Sequence, residues 1–225
     1  MNSNELENFL SRIRQAYVDA RKPVCSQTVC EDFIERGRSR TISGIAEDYF
    51  AELLYNELKK YELHFFVDQP LNYGIKKIVY PDVMITRCIE DKFQILCMLD
   101  LKMDVGYHRI GGKNDNYVKK ADALLNDIEK LRNTSSDITS TSGSKKGTKY
   151  HFSLHPQASY DEVIITSKNS GDEQKLIEFA EDSEKNIWVL SKGDHPNKYT
   201  NELNMCPFYT NWELLLQKIL KIVND

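Results

Sequence analysis

The feature that most limits what this chain can fold into is a pair of apolar runs. These are Tyr80-Pro81-Asp82-Val83-Met84-Ile85 and Ile95-Leu96-Cys97-Met98-Leu99-Asp100-Leu101-Lys102-Met103, parted by a charged break from Arg87 to Lys92. Runs this rich in Val, Ile, Leu and Met predict two antiparallel strands of a largely buried hairpin. Three charged residues interrupt them. Asp82 stands at the start of the first strand, while Asp100 and Lys102 lie two apart on the second, so a period of two puts that pair on one face. An isolated buried charge costs several kcal/mol, so ionised groups in such runs are paired or bind a metal. A site is expected here, with a strand-end acid and an ion pair within the sheet as the structural alternative.

Before the hairpin, Asn4 to Arg21 repeats Leu6, Phe9, Leu10, Ile13 and Tyr17 at helical spacing and predicts an amphipathic helix that Pro23 ends. Val24 to Arg36 reads as a second, shorter helix. Arg36, Arg38 and Arg40 then share a Gly-containing connector, where arginines either clamp phosphate oxygens bidentately or form a solvated linker. Ser43 reads as an N-cap, and Gly44 to Tyr61 is the clearest helix, with Ala46, Phe50, Leu53, Leu54 and Leu58 on one stripe. Glu47 falls at the edge of that stripe, whereas Asp48 and Glu52 face away from it. A carboxylate in a first helical turn also suits the helix dipole, which gives Glu47 a capping alternative.

Leu63 to Val67 and Gln69 to Tyr73 predict the first strand and its approach. After the hairpin, Asn116 to Arg132 predicts a helix with Val118, Ala121, Leu124, Leu125, Ile128 and Leu131 inward. Residues 133–149 are Ser/Thr/Gly-rich without a hydrophobic period and predict a flexible loop. Asp161 to Thr166 and Asn186 to Leu190 predict buried strands joined through a helix over Glu173 to Ser183, an arrangement that favours parallel pairing. Thr210-Asn211-Trp212-Glu213 has capping-box form and opens a terminal helix.

Pro81-Asp82, seventeen intervening residues, then Asp100-Leu101-Lys102 resembles the PD-(D/E)xK signature of the restriction-endonuclease-like nuclease superfamily. The resemblance runs from about Ser43 to Arg132, and within the superfamily it is nearest to a type II restriction endonuclease. It implies a Mg²⁺ site, with Mn²⁺ able to substitute, made by Asp82, Asp100, the backbone carbonyl of Leu101 and Glu47. It also implies that Lys102 orients the attacking water and offsets negative charge, staying protonated beside two acids. The segment leaving the second strand would pass the DNA backbone, which makes Tyr107 and Arg109 phosphate-contact residues together with Arg38 and Arg40.

The expected fold is α/β, a restriction-endonuclease-like core with a mixed sheet flanked by helices on both faces. Residues 1–225 would form one domain, with 1–42 a helical elaboration, 43–132 the catalytic core and 150–225 the remaining sheet and terminal helix. The function implied is Mg²⁺-dependent hydrolysis of double-stranded DNA by a homodimer at a specific site. Two alternatives stand beside it: a structure-specific repair, recombination or mobile-element nuclease, and a non-catalytic nuclease-like DNA-binding module. The net charge of −4 neither supports nor excludes a DNA partner. No apolar run approaches a membrane span and the polar N-terminus lacks a signal core, so a cytoplasmic protein is expected. Five cysteines without CxxC spacing give no zinc expectation, and Cys88 and Cys97 are expected in the core. Two clustered acids repel without a metal, so Asp100→Asn is expected to abolish cleavage and to raise thermal stability.

Overall fold

The computed structural model describes residues 3–21, 41–104, 116–134, 137–141, 148–167, 173–181, 186–193 and 205–225. The second helix expected over Val24–Arg36 lies outside them. Helices α1 (Ser3–Arg21), α2 (Ser43–Leu58), α3 (Asn116–Arg132), α4 (Glu173–Glu181) and α5 (Tyr209–Asn224) surround a mixed sheet. In chain order its strands are β1 (His64–Val67), β2 (Leu71–Asn72), β3 (Ile78–Val79), β4 (Val83–Ile89), β5 (Lys92–Asp104), β6 (Ile138–Thr141), β7 (Lys149–Thr166) and β8 (Ile187–Val189). They lie in the order β1-β4-β5-β7-β6-β2-β3, with β8 also on β7. A separate two-stranded ribbon pairs β9 (Ser191–Gly193) with β10 (Met205–Pro207).

β4 and β5 form the expected antiparallel hairpin, but it is longer than the apolar runs and continues through Arg87↔Gln94 to Ile89↔Lys92. Glu90 and Asp91, with φ of 46° and 66°, make the tight turn, a geometry whose twist suits a two-residue hairpin. Cys97 is buried, whereas Cys88 near the turn is exposed, contrary to expectation. β7 runs parallel to β8, as the strand-helix-strand order predicts, and β5 also runs parallel to β7.

Alternate residues of the sheet feed two layers. Val83, Ile85, Leu99, Leu101, Val163 and Ile165 pack with α1, α2 and α5 around Phe50, Leu54 and Trp212. On the other face, Met84 and Met98 meet Leu124 and Ile128 of α3, while Ile164 meets Ala121 and Leu176 of α4. Helices therefore cover both faces, as the sequence pattern implies.

Five local expectations are corrected. Residues 133–149 contain β6, which pairs with Lys149–Phe152, so part of the Ser/Thr-rich segment is a strand held by backbone bonds rather than by an apolar pattern. β7 is far longer than Asp161–Thr166 and passes through Pro156, where the ladder with β5 shifts register between Leu154 and Ser159 and needs no proline N–H. Ser43 is already helical, and the cap position is buried Ile42 without a side-chain bond. α5 likewise starts from Phe208 rather than a Thr210 capping box. Asn211 is buried instead, accepting the Val189 N–H and donating to the Ala180 carbonyl, which ties α5 to β8 and α4. Leu125 is exposed, outside the α3 core stripe.

Candidate active site

The three charges of the hairpin converge at the end of the β4–β5 ladder. Val83 and Leu99 form the last rung of the ladder, so Asp82 and Asp100 come next in register. The Asp82 carboxylate reaches across to the second strand, where its Oδ2 accepts the Leu101 N–H at 2.6 Å. Backbone chemistry thus fixes one acid beside the second strand.

Asp100 and Lys102 share a face of β5, and Lys102 Nζ stands 2.8 Å from Asp100 Oδ2 and 3.8 Å from Asp82 Oδ2. Lys120 of α3 reaches the same Asp100 oxygen at 3.2 Å. The Asp100 side chain is only 7% exposed, so both ammoniums meet it largely out of water. Burial works against the charge on Lys102, but Asp100, Asp82 and Glu162 outweigh it and raise its pKa, keeping the lysine protonated. The Asp82 carboxyl is pushed up by burial and by Asp100, with Lys102 and the Leu101 N–H opposing.

Glu47 stands half-buried in the first turns of α2. Burial first, then Asp82 and Asp68, push its carboxyl up to about 7. Asp48 is exposed and Glu52 pairs with Arg12 of α1 at 2.8 Å, so the edge position picks out the one α2 acid that feels Asp82.

Two charged residues of this cluster were not singled out from the sequence. Glu162 of β7 is the register partner of Asp100, is fully buried, and acts on Lys102. Lys120 is the other, and its signal was present: it lies four and eight residues before buried Leu124 and Ile128, in phase with the apolar stripe and near the helix end that disfavours cations. Tyr160 closes the site from β7. Its hydroxyl donates to the Tyr80 carbonyl at 3.3 Å, and burial together with Asp100 and Asp82 drives its pKa far up, so it acts only as a neutral phenol.

Glu47, Asp82, Asp100 and Glu162 thus face two lysines, Lys102 and Lys120. Among the described residues no three Asp, Glu, His or Cys side chains already form a metal cage. The donor set is nevertheless one that a hard divalent cation takes, since Mg²⁺ uses one or two carboxylates and completes its shell with water and phosphate oxygens. Two acids whose charged forms are disfavoured are what a cation would relieve. Arg36, Arg38, Arg40, Tyr107 and Arg109 lie outside the described residues.

No protein-family model, curated protein or solved structure matches the chain. Among the described residues no helix is long and apolar enough to cross a membrane.

Proposed function

We propose that this chain is a Mg²⁺-dependent DNA endonuclease with a restriction-endonuclease-like core, acting as a homodimer on specific duplex sites in the manner of a type II restriction enzyme. The observation that carries the reading is the pair Asp82 and Asp100, brought to one sheet end from adjacent strands with Lys102 between them. A structural ion pair needs one acid for one base, whereas this cluster holds an excess of acid.

Asp82, Asp100, the Leu101 carbonyl and Glu47 would hold the ion, which when bound supplies charge neutralisation at the phosphate and an acidified water. Lys102, kept protonated, donates hydrogen bonds that orient that water and balances charge gathering on the phosphate oxygens. A protonated ammonium cannot accept a proton, so Lys102 is not the general base. Lys120, 3.2 Å from Asp100 Oδ2, would offer a second ammonium to the phosphate. Glu162 keeps Lys102 oriented from the strand behind it.

The test is incubation of the purified chain with plasmids of varied sequence, followed by sequencing of the new ends. Recurrent double-strand cuts in Mg²⁺ or Mn²⁺, with binding but no turnover in Ca²⁺, are expected. Full cleavage in excess chelator, or intact DNA under every divalent ion, would overturn the reading.

A further inference from the structure

Seven residues before Asp82, the chain makes a projection that the active-site chemistry leaves unexplained. β2 and β3 are joined through Tyr73–Lys77, and every residue from Gly74 to Ile78 is exposed. Ile75 at the tip is 92% exposed, the most open large apolar side chain among the described residues. Ile78 and Tyr80 continue the exposed apolar line toward Asp82.

The tip is held in shape. Lys77 N–H bonds the Gly74 carbonyl at 3.2 Å, and Tyr73 N–H bonds the Lys77 carbonyl at 3.1 Å. The base is anchored by buried Leu71, Tyr73 and Val79 and by Thr134, whose hydroxyl donates to the Tyr73 carbonyl at 2.9 Å. Gln69 adds bonds to Ser140 and Thr141. Within this rigid turn Lys76 occupies the left-handed region at φ 56°, where glycine would sit without strain. A cation kept at a strained tip, beside an isoleucine in water, points to a ligand rather than to folding.

Charge says which ligand. Lys76 and Lys77 follow Ile75, and across an open cleft of about 1170 Å³ stand Asn126, Lys130 and Asn133 of the α3 end; Glu129 is engaged by Arg132 at 2.6 Å, and Lys130 pairs with Asp127 at 2.7 Å in a solvent-exposed contact that a phosphate can displace. α3 is also the helix that carries Lys120 to Asp100. Ammonium and amide donors along one edge suit phosphate oxygens. Seven residues span at most about 23 Å, less than one turn of duplex, so the tip and Asp82 can meet the same stretch of DNA.

We propose that this hairpin is a DNA finger: Ile75 and Lys76 enter the major groove within a helical turn of the cleaved bond, and Lys77 and Lys130 hold flanking phosphates. A two-stranded ribbon fits the roughly 12 Å major groove, where an apolar tip meets thymine methyls. The assignment rests on the nuclease reading and extends it to how the substrate is gripped.

Lys76→Gly tests it cleanly, because the substitution removes the charge and the backbone strain together. Binding to a mixed-sequence duplex is followed by fluorescence anisotropy in Ca²⁺ across a salt series, for wild type, Lys76→Gly and Ile75→Ser. Lys76→Gly is expected to melt at or above the wild-type temperature, bind about fivefold more weakly and lose about 0.9 of the salt slope. Ile75→Ser should weaken binding with the slope unchanged. Methyl green, a major-groove ligand, should compete with the wild type, and competition from netropsin instead would overturn the groove assignment. Wild-type binding and cleavage matched by both variants would overturn the finger and leave the nuclease reading standing. A wild type that neither binds nor cleaves any duplex would overturn both.

Discussion

β5 and β7 carry two clusters of charge on opposite faces, one residue apart in register. Leu99 stands beside Asp161 and Asp100 beside Glu162, so consecutive acids of β7 point into different layers. Asp161, 1% exposed, is fully served: Lys218 of α5 meets it at 2.8 Å and the Trp188 indole N–H donates at 3.1 Å. It forms a closed network of one acid and one lysine under the α5 layer. Across the sheet, four acids share two lysines, and the carboxyls of Glu47 and Asp82 are pushed up. The same pair of strands therefore builds a balanced charge as scaffold and an unbalanced one as a site. What separates them is the match of acid to cation, not burial.

The largest effect that this contrast predicts is on the scaffold side. Asp161→Ala leaves the buried Trp188 N–H and the partly exposed Lys218 without their partner, and breaking a buried pair costs about 3–5 kcal/mol. In a chain of this length that lowers Tm by roughly 10 °C, read by calorimetry. A melt unchanged by the substitution would erase the distinction between the two faces.

Asp100→Asn comes next, and here the structure reverses the expectation drawn from sequence. Asp100 was expected to be strained by a neighbouring acid, so that neutralising it would stabilise the chain. Instead its Oδ2 is shared by Lys102 and Lys120, and removing the charge costs about 1–3 kcal/mol. The loss stays below that at Asp161 because Lys102 keeps Asp82 at 3.8 Å and the asparagine amide oxygen still accepts a hydrogen bond. Cleavage should vanish together with this modest drop in Tm.

The reversal marks where sequence stops being informative. A period of two was enough to place Asp100 and Lys102 together, and the helical wheel was enough to prefer Glu47 over Asp48 and Glu52. Lys120 and Glu162 were invisible as partners because their contacts depend on the parallel register of β5 with β7 and on how α3 crosses the sheet, neither of which a one-dimensional pattern encodes. β6 was missed for a related reason. The four-residue strand Ile138-Thr139-Ser140-Thr141 lies between β7 and β2, has one apolar core residue, Ile138, and is specified by its neighbours' backbone. The capping motifs at Ser43 and Thr210 failed because tertiary packing placed Ile42 and Phe208 at those helix starts.

Asp82→Asn should move stability by less than about 1 kcal/mol, and upward. Burial and Asp100 already disfavour the ionised form, and an amide oxygen can still accept the Leu101 N–H. Loss of cleavage without loss of Tm is the outcome that separates this acid from Asp161. The wild type should also gain Tm with added Mg²⁺ while the variant does not, since a ligand that binds only the folded state stabilises it by mass action. A strong destabilisation would make Asp82 scaffold.

Glu47→Gln should produce the smallest change, visible only as a function of pH. In the folded chain the carboxyl titrates at about 7, above its ordinary 4.5, so the folded state holds its proton over a range where the unfolded state has lost it. The resulting stabilisation is complete below the unfolded value and is lost as pH rises through about 7. Without metal, wild type should therefore lose Tm between pH 5 and pH 8 relative to Glu47→Gln, whose amide does not titrate. Because the side chain is half-exposed, solvent screening holds the difference to a small fraction of what a buried acid would give. Added Mg²⁺ should flatten the wild-type curve, since a cation favours the ionised carboxylate and offsets the burial and the push from Asp82. Parallel curves for the two proteins, with or without Mg²⁺, would detach Glu47 from the acid cluster and leave it a helix-end carboxylate like Asp48.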